Sequence, residues 1–139
     1  MSKKYVLDTS ALFTYIENEA GVDKVDALLL QALDNDIELF ISIVSNVEVF
    51  YITLREQGKT KANERLRLIE DLPITQEPLN QDLIKTIGEI KANKPMSLAD
   101  CCIAGLAKLK KAILVHKDPE FEHMGKEVKQ LKLPYKLKA

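Results

Sequence analysis

Apolar residues run along this chain in two rhythms. Short unbroken runs (Tyr5-Val6-Leu7, Ile37 to Ile43, Ala112 to Val115) alternate with longer stretches whose apolar positions recur every three or four residues. The runs are short and rich in strand formers, so they read as strands buried on both faces. The spaced stretches read as amphipathic helices. Leu12, Phe13 and Ile16 follow a cap at Thr9 or Ser10, and Val22 to Leu33 follows Gly21. Ser45 opens a helix that carries Val47, Phe50, Tyr51 and Leu54 and closes at Gly58. Lys59 to Leu72 stops at Pro73, a helix marked by Leu83, Ile84, Ile87 and Ile90 ends near Asn93 and Pro95, and Ser97 to Lys111 is the last. Ile74 to Glu77 reads as a short third strand, His116 to Glu120 as a loop, and Leu133 to Leu137 as a final short strand. Strands that are apolar throughout and alternate with helices predict an α/β fold. It is expected to be a single domain over residues 1–139, a central parallel β-sheet of four to five strands with helices on both faces.

In an open parallel sheet, ligands bind outside the carboxyl ends of the strands. Four acids are aimed there. Asp8 ends the first run, Glu48 lies in the opening turns of the helix after the second, and Asp118 sits three residues past Val115. Asp100 lies in the first turn of the helix preceding the fourth strand, so it starts from the same edge. Each acid also has a structural reading. Ser45-x-x-Glu48 and Ser97-x-x-Asp100 match capping boxes, an acid in a first turn gains from the helix dipole, and Asp8 and Asp118 suit turns. Their surroundings favour a shared site: Asp100 is in register with Ala104 and Ala107, and Glu48 is flanked by Val47, Val49 and Phe50. Carboxylates crowded in a half-buried place push each other's pKa upward, and a bound cation relieves the conflict. Oxygen ligands without Cys or His select Mg²⁺ or Mn²⁺, ions that handle phosphates. No G-x-G-x-x-G follows the first strand, which disfavours a dinucleotide.

Composition narrows this further. The 139 residues are 46% hydrophobic and 29% charged, the balance of a globular chain. A net charge of −1 rules out a strongly basic coat for nucleic acid. The charge is uneven, however: residues 1–70 carry 8 basic and 12 acidic side chains, and residues 71–139 carry 12 and 9. The late lysines Lys126, Lys129, Lys132, Lys136 and Lys138 read either as a solvated surface or as a phosphate-tracking patch beside the acids. The two cysteines, Cys101 and Cys102, are adjacent, which gives neither a disulfide framework nor a zinc site. No signal peptide or 18-residue apolar span occurs, so a soluble, cytoplasmic protein is expected, with no membrane partner.

Taken together, the segments YVLDTSALF (Tyr5 to Phe13), SNVEVF (Ser45 to Phe50), SLADCCIAGLA (Ser97 to Ala107) and LVHKDPEF (Leu114 to Phe121) resemble, in order, the four motifs of the PIN-domain nucleases. The chain also matches a single PIN domain in length, and the VapC-type toxins are the subgroup closest in size. The resemblance implies a Mg²⁺- or Mn²⁺-dependent endoribonuclease that cuts single-stranded or loop RNA, a homodimer, and a small cognate antitoxin that inserts a segment into the site. It implies that Asp8, Glu48 and Asp100 are metal ligands, that Asp118 contributes directly or through water, and that Ser10 assists unless it is only a cap. His116 departs from the pattern, which usually has Thr or Ser two residues before the last aspartate. It is read either as a group that alters metal affinity or the pH profile, or as a loop histidine without a role. Gly105 stands where alanine is commoner and is expected to loosen its helix by up to about 1 kcal/mol. The competing functional readings are a non-catalytic RNA-binding or scaffold PIN domain and a housekeeping RNA-processing nuclease. A haloacid-dehalogenase phosphatase is disfavoured because Ser10 stands where it needs a second aspartate.

Overall fold

A computed structural model describes residues 3–136. Five strands, β1 (Lys3–Leu7), β2 (Ile37–Ser42), β3 (Thr75–Glu77), β4 (Ile113–His116) and β5 (Gln130–Lys132), form one sheet in the order β3-β2-β1-β4-β5. Every neighbouring pair is parallel, with Val6 opposite Phe40 on one side and Leu114 on the other. The expected parallel α/β architecture is therefore present.

Side-chain alternation along the strands divides the core. Val6, Phe40 and Leu114 face α5 (Gln81–Asn93) and α6 (Leu98–Lys110). Leu7, Leu39, Ile41 and Val115 face a second cluster supplied by α1 (Thr9–Ile16), α2 (Val22–Leu33), α3 (Ile43–Gln57) and α4 (Lys59–Asp71). A sheet covered on both faces needs apolar residues at both parities, which is why its central strands carry no polar alternation.

Several boundaries differ from the expectation, among them the cap of α1, which is Asp8 and not Thr9 or Ser10. Helix α3 begins at Ile43, not at Ser45, because Ser42 caps it by accepting a hydrogen bond from Val44 N at 3.2 Å. The β-branched pair Ile43-Val44 mimics a strand, but the cap ends β2 before it. Ser45 is thus buried inside the first turn and no capping box with Glu48 forms. His116 is the last residue of β4 and the loop is only Lys117 and Asp118; Pro119–Glu127 then forms a 3₁₀ segment that buries Phe121 and Met124. Those residues are three apart, the repeat of a 3₁₀ turn. The last strand is Gln130–Lys132, ahead of the expected Leu133 to Leu137, and residue 137 lies outside the described residues.

Gly105 has a packing role as well. A Cβ there would lie 2.8 Å from Ile87 Cγ1, so the missing side chain is what lets α5 close on α6.

Candidate metal centre

Because all strands run the same way, the residues after β1, β2 and β4 emerge at one edge, where α6 also starts. A cleft of about 630 Å³ opens there, and Asp8, Ser10, Glu48, Asp100 and Asp118 all line it.

Asp8 caps α1. Its Oδ2 accepts hydrogen bonds from Ser10 N at 3.0 Å and Ser10 Oγ at 2.5 Å. Its Oδ1 is buried and has no hydrogen-bond partner. Burial pushes the Asp8 pKa up to about 6, against the Ser10 hydrogen bonds and with help from the Glu48 charge. Asp100, in the first turn of α6, is held through its backbone N–H, which donates to the cap Ser97 Oγ at 3.2 Å. Its pKa rises to about 8, first through burial and then through the charges of Asp8, Asp118 and Glu120.

Glu120 was missed in the sequence. One oxygen each of Asp100, Asp118 and Glu120 lie within 4.8 Å of one another, the tightest gathering of acids among the described residues. Glu120 reaches the cluster because Asp118 caps the 3₁₀ segment, accepting from Glu120 N at 2.9 Å, with Pro119 fixing the first turn. Its Oε1 accepts from Ser97 N, which ties the β4 loop to the start of α6. An acid directly after an Asp-Pro pair is the signal that would have found it. Glu48 belongs to the flank. Its Oε1 accepts a 2.6 Å hydrogen bond from Thr9 Oγ1, and Thr9 also bonds Ser45 at 2.9 Å. The four acids expected from the sequence therefore share one cleft, but the compact trio pairs Asp100 and Asp118 with Glu120, while Asp8 and Glu48 stand beside it.

Ser10 and His116 work on backbone. Ser10 Oγ accepts from Lys117 N at 3.0 Å, so one hydroxyl links the Asp8 carboxylate to the β4 loop. His116 is fully buried. Its Nδ1 accepts from Asp118 N at 3.1 Å, and its Nε2 lies 2.9 Å from Gln130 Oε1. A neutral ring must then carry its proton on Nε2, donated to Gln130. Burial lowers the His116 pKa, which favours that neutral form. The imidazole thus fixes the loop that presents Asp118.

The lysines of the C-terminal half do not gather at the acids. Lys126 and Lys129 line a separate groove with Lys108 and Lys111, at the far end of α6. Lys132 pairs with Glu122, Lys136 reaches the cleft while paired with Glu19, and Lys138 lies outside the described residues. Lys117 lines the cleft as well, and its Nζ donates to Ala20 O at 2.8 Å.

The donor set fits a hard divalent ion. It is all oxygen, it includes a buried carboxylate oxygen that no protein donor satisfies, and Asp100 is held protonated at neutral pH unless positive charge arrives. This makes stability depend on pH. Asp8 and Asp100 hold their protons more tightly folded than unfolded, so the folded state is favoured at low pH. That advantage is lost as pH rises through about 6 for Asp8 and about 8 for Asp100. In chelator, unfolding free energy is expected to fall between pH 5 and pH 8 by roughly 1–2 kcal/mol from Asp8 alone. Urea unfolding across that range checks it, and excess Mg²⁺ should flatten the slope. A metal-free stability that climbs with pH contradicts the charge crowding.

A family model described as PIN domain matches residues 5–127. No curated protein matches the chain in sequence. Among solved structures, VapBC2 from Rickettsia felis bound to a DNA fragment from their promoter aligns at TM-score 0.77 and 17% identity, over 94% of this chain and 99% of that one. DNA-bound VapBC from Salmonella typhimurium aligns at 0.75 and 18% identity, over 95% and 98%. VapC20 of Mycobacterium tuberculosis, a sarcin–ricin-loop-cleaving toxin, aligns at 0.68 and 14% identity, over 87% and 95%. At these identities the structural likeness speaks for the fold.

Proposed function

From the premise that the chain belongs to the PIN-domain family, we propose that it is a Mg²⁺- or Mn²⁺-dependent endoribonuclease, the toxin of a toxin–antitoxin pair. The observation that carries this reading is the convergence of Asp100, Asp118 and Glu120 beside the unsatisfied Oδ1 of Asp8. A toxin–antitoxin complex from Klebsiella pneumoniae and a member of the VapBC family of toxin–antitoxin systems from Mycobacterium tuberculosis, among the structures that share its fold, support a cognate antitoxin, and a homodimer is part of the same reading.

Asp100, Asp118 and Glu120 would hold the ion, the unsatisfied Oδ1 of Asp8 would be a further ligand, and Glu48 would complete the acidic wall. A bound Mg²⁺ or Mn²⁺ supplies positive charge that lowers the pKa of an attacking water and stabilises the phosphate oxygens. Ser10 keeps Asp8 in one rotamer by donating to Oδ2, which leaves Oδ1 for the ion. His116 and Ser97 hold the backbone and side chain of the β4 loop, so Asp118 and Glu120 stay aimed without reorganisation. Unpaired RNA suits a recessed cleft, because A-form duplex exposes little to side chains.

The test is incubation of purified protein with transfer RNAs and ribosomal RNA fragments, the sarcin–ricin loop included, in Mn²⁺ and in EDTA. Cleavage at defined positions in Mn²⁺ and none in EDTA is expected. Equal cleavage in EDTA, or none with any RNA, overturns the proposal.

A further inference from the structure

The chain after β5 turns back over the site. Leu133 N donates to His116 O at 2.7 Å, and Lys136 Nζ pairs with Glu19 at 2.7 Å. Between those two anchors the half-buried ring of Tyr135 lines the same cleft as Asp8, Asp100 and Asp118. The ring is fixed at its tip and along a face. Its hydroxyl donates to Glu122 Oε2 at 2.9 Å, and it lies stacked on His116 with centroids 6.2 Å apart and planes 28° from parallel. Pro119 lines the cleft as well, an apolar element next to Asp118. A centre that only bound phosphate would gain nothing from such a surface.

The second aromatic ring in the cleft, Phe13, is committed elsewhere. It packs against the core cluster under α1, and the Arg65 guanidinium sits 6.0 Å from its centroid. Tyr135 belongs to neither core cluster.

Resting on the nuclease reading, we propose that Tyr135 is the stacking platform for an unpaired nucleobase flanking the scissile phosphate, and so a residue that selects the RNA. His116 gives this reading its geometry. The same buried imidazole carries Tyr135 against its face and accepts the backbone N–H of Asp118. One rigid group therefore sets the spacing between the stacked base and the acid cluster. A ring already immobilised loses little entropy when a base lands on it, and base–aromatic stacking contributes about 1–3 kcal/mol, which is about 5- to 150-fold in binding.

The experiment uses an RNA that the wild-type protein cleaves, carrying 2-aminopurine in turn at each nucleotide flanking the cut. Quenching is read with the Asp100→Asn variant, which keeps the RNA whole in Mg²⁺. The chain has no tryptophan to quench in place of Tyr135. Strong quenching at one flanking position is expected, kept by Tyr135→Phe in that background and lost by Tyr135→Leu. In the cleaving protein, Tyr135→Leu should raise KM about 5- to 150-fold with kcat changed far less, and Tyr135→Phe should stay near wild type. An abasic nucleotide at that position should raise the wild-type KM equally, a readout that holds if the leucine variant fails to fold. Unchanged quenching and KM in Tyr135→Leu, or an abasic substrate cut as well as the intact one, overturns the stacking role while leaving the nuclease reading standing. If wild-type protein neither binds nor cuts any RNA, the nuclease reading fails, and this role with it.

Discussion

Asp100→Asn is expected to reduce metal-dependent RNA cleavage on the order of 10³-fold or more while making the metal-free protein more stable by roughly 0.5–2 kcal/mol. Both effects have one cause. Asp100 has the most strongly raised carboxyl of the site, because burial and three neighbouring acids act against its charge. Amide replaces carboxylate at nearly the same volume, relieves the repulsion, and removes the negative oxygen that an ion needs. Some helix-dipole stabilisation is lost with the charge, typically about 0.3–1 kcal/mol, less than the relief expected above neutral pH. Asp8 gives the matching comparison. Asp8→Asn keeps an oxygen for the Ser10 hydrogen bonds and so keeps the α1 cap, whereas Asp8→Ala loses both. The asparagine variant should match or exceed wild-type stability in chelator, and the alanine variant should fall about 1 kcal/mol below it. Both should lose cleavage. Urea unfolding in EDTA at pH 8, beside cleavage assays in Mn²⁺, reads these effects. Two asparagine variants that melt below wild type would mean the acids are caps.

His116→Ala should cost about 2–4 kcal/mol and reduce cleavage about 10- to 100-fold, although His116 does not line the cleft. The substitution empties a fully buried site, leaves Asp118 N–H without its acceptor and strands Gln130. His116→Thr restores an acceptor two residues before that N–H, a geometry that Ser and Thr side chains form readily. It should recover most of the cleavage while regaining only part of the stability. The lowered pKa of the buried ring also predicts no effect of the His116→Thr change on the shape of the cleavage–pH profile between pH 7 and 8. A profile that loses a titration in that range in the threonine variant would make His116 a proton-transfer group instead.

The acids at the strand ends were legible in the sequence because a parallel sheet converts strand order into location. Asp8 follows the apolar run of β1, and Asp118 follows that of β4, so both had to reach one edge. Glu120 was not legible, because its place depends on the 3₁₀ turn started by Asp118 and Pro119, which puts position 120 back beside 118. The same limit hid the true start of α3, where the Ser42 cap overrides two strand-like residues. The edge strand β5 escaped for a different reason. Gln130-Leu131-Lys132 has a single apolar side chain, and an edge position needs no more burial than that. His116 looked like either a chemical group or a bystander, and its part as a buried acceptor for Asp118 N–H becomes visible only once Gln130 is placed at its other nitrogen. The two readings of the late lysines stayed open because charge counted along a chain says nothing about which end of α6 it decorates.

The most direct measurement is calorimetric titration of Mg²⁺ or Mn²⁺ into metal-free protein at pH 7, in buffers of different ionisation enthalpy. A cation held by Asp100, Asp118 and Glu120 must displace the proton that crowding keeps on Asp100. Saturable binding with release of about one proton in the wild type, and weakened binding without proton release in Asp100→Asn, is the result expected. Absence of saturable binding, or binding of equal strength and proton count in the two proteins, would contradict a metal centre at this edge of the sheet.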